Sequence, residues 1–203
     1  MGGRPRSFDE EDVLDRALEL FWRDGYASTS MQALLTHMGI SRQSLYNTFG
    51  DKRRLFLAAL DRYVDRRTAD MLGPLQGGDA SLEAIYAFFQ RLGEQSGCPS
   101  AGTPRGCMIG KSCMELGGTD PEVAARVHRF FDRTVSAFRN ALCNAVAQGE
   151  IEPLDTAATA RHLTATLNGL GIMSRAGVPP EELGDVVRTA LSVLRPKPPA
   201  AQA

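Results

Sequence analysis

The chain has 203 residues, of which 43% are hydrophobic and 23% charged, and its formal net charge at pH 7 is −1. A chain of this length can bury a substantial hydrophobic core, in one domain or in two small ones. The nearly neutral charge argues against a protein that coats nucleic acid through a generally basic surface, but it is compatible with DNA binding through a local basic surface.

The sequence gives no sign of membrane insertion or secretion. No apolar run approaches the ~20 residues that a membrane-spanning helix needs, and the N-terminus lacks the apolar segment of a signal peptide, so we expect a cytoplasmic protein. The four cysteines, Cys98, Cys107, Cys113 and Cys143, include no Cys-x-x-Cys pair. Their spacing therefore predicts free thiols and indicates neither a zinc site nor a thioredoxin-type dithiol. We expect no metal and no cofactor.

The chain begins with a short basic arm followed by an amphipathic helix. Arg4 and Arg6 lie in the arm, and such arms beside a DNA-binding helix can enter the minor groove, although a frayed terminus is the alternative. Asp9 is predicted to cap the helix and Gly25 to end it. Its apolar positions recur as one buried helix face requires: Val13, Leu14, Ala17, Leu18, Phe21 and Trp22.

Residues 28–56, STSMQALLTHMGISRQSLYNTFGDKRRLF, predict two short helices joined by a tight turn at Gly39. Ser41 can cap the second helix, and Leu45 and Phe49 point inward at i, i+4. A short helix, a glycine turn and a capped helix with a polar face are typical of a DNA-reading helix-turn-helix. The residues left on the outward face to read bases are Arg42, Gln43, Ser44 and Asn47, with Tyr46 beside them.

Asp51 is the predicted cap of a fourth helix that runs to about Leu72, before Gly73 and Pro74. The helix opens with the basic run from Lys52 to Arg54. A helix start favours a phosphate because its N–H groups are free and carry partial positive charge. A solvated helix start is the alternative interpretation.

This part of the chain resembles the TetR/AcrR family of bacterial transcriptional regulators. The matching residues are Phe21, Gly25, Tyr26, Thr29, Gly39, Ile40, Ser41, Leu45, Tyr46, Phe49, Lys52, Leu55 and Phe56. The resemblance is close over residues 1–65, which include the first turns of the fourth helix, and is one of architecture beyond them. It implies DNA phosphate contacts for Tyr46, Lys52 and Thr29. For Tyr46, a core aromatic with its hydroxyl at the rim is the alternative.

The rest of the chain shows further helical patterns and no convincing strand. Helices are predicted from Leu82, over residues 106–116, from Asp120 to Gly149, from Asp155, and from Pro179. Residues 96–105 are predicted to form a loop. The fold class is therefore all-α, with about nine helices. We expect an arm and a helix-turn-helix DNA-binding domain in residues 1–50, a helical effector-binding and dimerisation domain in residues 51–195, and a disordered tail in residues 196–203.

The last two helices carry more apolar residues than a two-helix hairpin can hide. A two-fold dimer in which these helices pack as four is the natural use, and the resemblance implies the same. The alternative is that they pack on the chain's own core. The predicted dimer residues are Leu163, Leu167, Leu170, Leu183, Val187 and Leu191.

In the family that this chain resembles, the middle helices enclose a cavity for a small effector. An apolar or aromatic effector is expected here, since binding pockets are mostly apolar with a few polar groups. Lys111, Glu115, His128 and His162 are candidate polar anchors or, alternatively, surface residues. The candidate lining is Phe88, Phe89, Leu92, Cys107, Met108, Ser112, Cys113, Phe130, Phe131, Phe138 and Met173, for which plain core packing is the alternative.

The favoured function is a DNA-binding transcriptional regulator, a repressor released from a palindromic operator when the effector binds. One alternative is a thiol-based redox or metal-sensing regulator that uses Cys98, Cys107 and Cys113. A third hypothesis, an enzyme with a cysteine nucleophile paired to a histidine, has no supporting motif around any of these residues.

Overall fold

The computed structural model describes residues 8–96 and 107–196, and within them the chain is helical. The helices are α1 (Glu10–Asp24), α2 (Met31–Met38), α3 (Arg42–Phe49), α4 (Lys52–Arg67), a π-helical segment (Thr68–Leu72), α5 (Gly73–Gln76), α6 (Leu82–Ser96), α7 (Met108–Leu116), α8 (Pro121–Ala147), α9 (Thr156–Arg175) and α10 (Pro180–Leu191). Since α4, the π segment and α5 follow one another without a break, these ranges hold nine helical runs. The all-α prediction is confirmed.

Polar caps fix where the helices begin. The carboxylates of Asp9, Asp51, Asp120 and Asp155 accept backbone N–H groups of the first turns of α1, α4, α8 and α9. Each satisfies donors that have no partner inside the helix. The caps predicted at Asp9 and Asp51 and the helix starts predicted at Asp120 and Asp155 are confirmed. Such caps explain why the helix starts could be located from the sequence.

The predicted end of the fourth helix at Leu72 is wrong, because the helical run continues through Gly73 and Pro74 to Gln76. Proline lacks an N–H, and its ring collides with the carbonyl four residues earlier in a regular α-helix. Here the wider π turn of Thr68–Leu72 comes just before Gly73 and Pro74. A π turn changes the local hydrogen-bond register, which allows the helix to pass the proline instead of stopping.

Two hydrophobic cores divide the chain. The first core joins α1–α4 to α7 and the N-terminal half of α8, and it includes Leu34, Leu45, Met108 and Val127. The second core joins α5, α6, the C-terminal half of α8, α9 and α10. The long helix α8 therefore belongs to both cores. Because the first core contains residues of α7 and α8, the hydrophobic packing extends across the domain boundary predicted after residue 50.

Ion pairs fix α4 between its two neighbours. On one side, Asp15 of α1 binds Arg62 and Arg66. On the other, Asp61 binds Arg126 of α8 with 2.7 Å between the charged atoms. None of the helices in the described ranges is both long and apolar enough to cross a bilayer. The same ranges contain one isolated β-bridge, between Ile151 and Pro196, which places the first residue of the predicted tail against the fold.

Candidate nucleic-acid interface

The turn between α2 and α3 has the conformation that the helix-turn-helix pattern predicts. Gly39 adopts a left-handed conformation (φ 69°, ψ 29°), and its N–H donates to the Leu35 carbonyl at 3.0 Å. Ser30 caps α2, and the Ser41 hydroxyl accepts the Ser44 N–H at 3.1 Å to cap α3. Glycine reaches positive φ without steric cost, so this tight connection is fixed locally by the sequence.

Helix α1 serves as the scaffold for this turn. Its Arg16 guanidinium donates to the carbonyl of Met38, the last residue of α2, at 3.4 Å. The Phe21 ring packs edge-on against Phe56 of α4, with ring centroids 5.1 Å apart. The positive charge of Arg16 at the C-terminal end of α2 also interacts favourably with the dipole of that helix. These contacts hold α2 and α3 at a set angle to α1 and α4.

Helix α3 buries one side and exposes the other. Leu45 is fully buried, whereas Arg42, Gln43 and Asn47 are exposed. The Gln43 side-chain amide donates to the side-chain oxygen (Oδ1) of Asn47 at 2.8 Å, so the two side chains form one hydrogen-bonded pair of amides on the helix surface. Glutamine and asparagine amides can both donate to and accept from base edges. The structure thus leaves three of the four predicted base-reading residues on an open surface.

Ser44, the fourth predicted base-reading residue, is placed differently. Its side chain is half-buried, and its hydroxyl lies 3.0 Å from the Ser41 hydroxyl within the cap of α3. A hydroxyl engaged in a cap has less freedom to meet a base edge. We therefore assign Ser44 a structural role in the N-terminal cap of α3.

Of the residues expected to contact phosphate, Tyr46 is exposed and Lys52 is half-buried. Tyr46 is 46% exposed, which contradicts the alternative of a core aromatic. Lys52 is the first residue of α4, and its ammonium lies 4.3 Å from the centre of the Tyr26 ring, in cation–π geometry. Burial lowers the pKa of Lys52, and the nearby Glu115 carboxylate opposes that shift.

The structure contradicts the phosphate contact predicted for Thr29. Its side chain is 1% exposed, and its hydroxyl donates to the Gly25 carbonyl at 2.6 Å. A buried hydroxyl with a satisfied hydrogen bond stabilises the turn between α1 and α2. Thr29 is therefore a structural residue of the motif.

The three basic residues that open α4 have separate partners. Arg53 forms a two-bond pair with Asp120 at 2.7 and 2.9 Å, and it also contacts Glu122 at 2.6 Å. Hydrogen bonds from Arg53 and from two backbone N–H groups at the start of α8 together lower the pKa of Asp120 to about 2, with Arg53 the largest of these causes. Arg54 is largely exposed, 4.0 Å from Asp51. Arg53 thus binds the C-terminal half of the chain, while Arg54 faces solvent. The predicted arm residues Arg4 and Arg6 lie outside the described residues.

The residues predicted to line one effector pocket are divided between the two cores. Met108 and Phe130 belong to the first core, where Cys107 and Phe131 pack at its edge. Phe88, Phe89 and Phe138 form a close-packed aromatic cluster of the second core, with ring centroids 5.1–5.7 Å apart, and Leu92 and Met173 pack at its edge. Ser112 is buried and Cys113 is exposed. Most of these eleven residues therefore fill or border core positions, divided between the two cores, and the effector pocket assigned to them stays a prediction.

An open groove of about 430 Å³ lies instead between α6, α9 and α10. From the predicted pocket it shares only Phe89 and Leu92. Its walls are mostly apolar, with Tyr86, Gln90 and Arg188 as polar groups. A mostly apolar concavity with a few polar groups is the usual composition of a small-molecule site. The remaining lining residues are Gly93, Leu170, Pro180, Leu183, Gly184, Val187 and Leu191.

The leucines predicted to form a dimer interface are covered by their own chain. Leu163 is fully buried, and Leu167, Leu170, Leu183 and Leu191 are each at most 8% exposed within the second core. Val187 is half-buried. The five leucines thus follow the alternative of packing on the chain's own core, and the interface role of Val187 stays a prediction. On the outward side of α9, Ala165 and Ile172 are exposed, and a β-carbon added at Gly169 would meet open space.

The thiols are dispersed. Cys107, Cys113 and Cys143 are free, as predicted, with Cys107 half-buried at the start of α7 and Cys113 exposed on that helix. Cys98 lies outside the described residues. The described residues contain no group of three or more potential metal ligands. This arrangement gives no support to the thiol-sensor hypothesis.

Lys111 and Glu115 contact the end of α1 and the turn that follows it. The sequence predicted them only as possible effector anchors or surface residues. The Lys111 ammonium donates to the Arg23 carbonyl at 2.9 Å, and the Glu115 carboxylate accepts the Tyr26 N–H at 2.8 Å. Because these partners are 88 and 89 residues apart in the chain, no local pattern could pair them. His128 and His162 are exposed.

Comparisons with known proteins agree on one family. The family model described as "Bacterial regulatory proteins, tetR family" matches residues 13–59. A second family model, "Tetracyclin repressor-like, C-terminal domain", matches residues 80–190. The HTH-type transcriptional regulator YezE of Bacillus subtilis is 37% identical over 194 residues, which cover 95% of this chain and 99% of YezE. The HTH-type transcriptional repressor ComR of Escherichia coli is 34% identical over 195 residues, which cover 93% and 90% of the two chains.

A solved structure extends the similarity to a DNA complex. A cysteine-substituted form of the TetR family transcriptional regulator CifR, complexed with 26-base-pair double-strand operator DNA, is 30% identical and superposes with a TM-score of 0.77. The match covers 93% of this chain and 98% of the CifR chain.

Proposed function

This chain belongs to the TetR family of DNA-binding transcriptional regulators, and on that premise we propose that it is a homodimeric repressor that leaves a palindromic operator when a small apolar or aromatic effector binds. Two relatives that are named as transcriptional repressors, ComR and BdcR of Escherichia coli, support repression over activation. The family consists of regulators, so the expectation that the chain is not an enzyme is confirmed.

The exposed polar side of α3 carries the proposal for DNA binding. Arg42, Gln43 and Asn47 would read bases, while Tyr46 and Lys52 would bind phosphates on either side. Lys52 adds a full charge at the start of α4, where helix N–H groups already favour an anion. Its contact with the Tyr26 ring would hold the ammonium in place before DNA arrives.

The test begins with selection of bound duplexes from a random-sequence pool by the full-length protein. We expect the selected DNA to be an inverted repeat, since a two-fold dimer binds two equal half-sites. Recovery of single, unpaired sites would contradict the palindromic operator, and recovery of no sequence preference would contradict the repressor proposal.

The selected duplex then tests the phosphate assignment. Lys52→Ala should weaken binding to all sequences alike and reduce the slope of log K against log salt by about one unit per protomer. Arg139→Ala, which removes an exposed charge on α8, is the matched control and should leave the slope unchanged. An unaltered slope for Lys52→Ala would refute the assignment.

The base-reading assignment makes a different prediction. Arg42→Ala and Gln43→Ala should change the ranking of operator variants, with about 1–3 kcal/mol less discrimination at the contacted base pair. If affinity falls equally for every variant, these residues contact only the backbone.

For the dimer, the proposed interface is the outward side of α9. Ala165, Gly169 and Ile172 lie at i, i+4 and i+7 on one helix face, and Ile172 is 63% exposed. Small residues on such a face allow close approach of a second helix. Ile172→Glu should shift the protein to monomer in analytical ultracentrifugation, whereas Met114→Glu, at a residue 84% exposed on α7, should not. Equal masses for the two variants would move the interface elsewhere.

For the effector, the proposed site is the groove between α6, α9 and α10. Its apolar walls favour an apolar or aromatic ligand, and 1-anilinonaphthalene-8-sulfonate is a suitable fluorescent probe. Val187→Trp, which fills the groove, should abolish probe binding, while Val193→Trp, outside it, should not. Probe binding that survives Val187→Trp would exclude this groove.

Release requires that the ligand discriminate between two states of the protein. A ligand that binds the released state about 100-fold more tightly would shift the balance by about 2.7 kcal/mol. The saturating probe should then lower the anisotropy of a labelled operator bound to wild type but not to Val187→Trp. Equal release from both proteins would mean that the probe acts at another place.

A further inference from the structure

Helix α7 contacts the turn between α1 and α2 through two side chains. The Lys111 ammonium donates to the carbonyls of Arg23 and Trp22, at 2.9 and 3.5 Å. The Glu115 carboxylate accepts the N–H of Tyr26 at 2.8 Å. We refer to Lys111 and Glu115 together as the α7 latch.

The latch satisfies backbone groups that α1 cannot satisfy itself. The last carbonyls of a helix have no partner within it, and a cation there also complements the helix dipole. Lys111 supplies that cation from a distant part of the chain. The first N–H beyond the helix, that of Gly25, donates to the Phe21 carbonyl, and Glu115 accepts the next one, that of Tyr26. One helix therefore contacts both the last carbonyls of α1 and the backbone that follows them.

Gly25 provides an independent sign that Glu115 belongs at this position. Gly25 has a positive φ of 87° and lies directly before the latched Tyr26. A β-carbon built at Gly25 would collide with the Glu115 carboxylate. Glycine therefore permits both the backbone conformation and the close approach of the carboxylate.

The opposite end of α7 contacts α4 and α9. The Met108 N–H donates to the buried Tyr63 hydroxyl of α4 at 3.3 Å. On α9, a β-carbon at Gly171 would be 3.7 Å from the Cys107 β-carbon, an ordinary van der Waals distance, so α9 lies beside the residue that precedes α7. Helix α7 thus links α4 and α9 to the turn that leads into α2 and α3.

We propose that the α7 latch fixes the orientation of α2 and α3 relative to the C-terminal helices and thereby determines which half-site spacing the dimer accepts. This inference rests on the proposed function. Two recognition helices bind successive major grooves only when they are held about 34–36 Å apart at the correct angle. A three-helix unit whose turn is fixed by Lys111 and Glu115 keeps that separation, and one without the latch samples a range of separations.

The test compares operators that differ only in the spacing of the half-sites selected by wild type. The variants are Lys111→Met, Glu115→Ala and Glu115→Gln, and Met114→Ala on the exposed side of α7 is the matched control. Hydrogen exchange of residues 22–30 verifies that Glu115→Ala releases the Tyr26 amide, and circular dichroism verifies that each variant is folded.

We expect wild type, Met114→Ala and Glu115→Gln to prefer one spacing, since the glutamine carbonyl can still accept the Tyr26 N–H. Lys111→Met and Glu115→Ala should lose about tenfold of their discrimination against a spacing one base pair longer, within the usual range of coupling between sites. Preference within a half-site should not change.

A uniform loss of affinity at every spacing would overturn the proposal, because that is the result expected if the latch only stabilises the fold. Unchanged discrimination together with released Tyr26 exchange would also overturn it. If wild type selects no paired half-sites at all, the proposed function itself fails, and that outcome is visible before any variant is compared.

Discussion

Asp15 of α1 forms ion pairs with two arginines of α4, Arg62 and Arg66. Its carboxylate accepts from Arg62 at 2.5 and 3.0 Å, and from Arg66 at 2.7 Å. Arg62 is only 18% exposed and Asp15 is 32% exposed. Hydrogen bonding to Arg62 is the largest of the effects that lower the pKa of Asp15. We predict that Asp15→Asn destabilises the protein measurably at neutral pH.

The expected magnitude follows from the geometry. Exposed ion pairs contribute about 0–1 kcal/mol, whereas two-bond guanidinium–carboxylate pairs are stronger. Without Asp15, the partly buried Arg62 guanidinium keeps only its 3.4 Å contact with the exposed Glu11 carboxylate, so part of its desolvation cost is no longer offset. Because a third of Asp15 remains solvated, we expect Asp15→Asn to lower the free energy of unfolding by about 1–2 kcal/mol. The control is Asp65→Asn, which removes the ion pair with Arg133. Because the Asp65 carboxylate is 68% exposed, this substitution should cost at most about 0.5 kcal/mol.

The pH dependence provides a second measurement. Since the folded-state pKa of Asp15 lies below its ordinary value of 3.8, its contribution is fully present above that value and is lost as the pH falls through the lower, folded-state pKa. Urea unfolding followed by circular dichroism should therefore give a smaller difference between wild type and Asp15→Asn at pH 3 than at pH 6. A difference that is constant with pH, or a cost for Asp65→Asn equal to that for Asp15→Asn, would refute the reasoning.

Three further substitutions test individual positions. Thr29→Val should cost about 1 kcal/mol of stability because it removes a buried hydrogen bond, and it should leave the salt dependence of DNA binding unchanged; a reduced slope would restore the phosphate contact. Gly39→Ala should cost about 1 kcal/mol because of its left-handed conformation, while Gly78→Ala, in open space at an ordinary φ, should be nearly neutral in the same thermal unfolding measurement. Tyr63→Phe should cost about 1–2 kcal/mol in urea unfolding, since the buried Met108 N–H loses its acceptor; a neutral result would mean that this hydrogen bond contributes nothing.

The parts of the fold that depend on local chemistry could be predicted from the sequence. Asp9, Ser41, Asp51, Asp120 and Asp155 cap helices where their spacing to apolar residues predicted. These signals work because a cap or a glycine turn is decided by a few adjacent residues. For the same reason, the exposed polar side of α3 could be assigned in advance.

The errors concern partners that are distant in the chain. Helical periodicity shows that Leu163 and Leu191 lie on apolar faces, but it does not show whether the covering surface belongs to the same chain or to a second copy. Likewise, the aromatic residues of α6 and α8 could line a cavity or fill it, and the structure shows Phe88 and Phe138 packed against each other. Thr29 was assigned from the resemblance alone, and its burial depends on how α1 meets α2.

The composition of the first core explains why the α7 latch can influence DNA binding although its hydrogen bonds are at the surface. Met108, Ile109, Val123 and Val127 of α7 and α8 pack in the same core as Leu34 and Leu45 of the helix-turn-helix. Close-packed interiors do not deform continuously, so α7 cannot shift without repacking the residues that support α2 and α3. The core therefore transmits a displacement of α7, while Lys111 and Glu115 fix its direction at the end of α1.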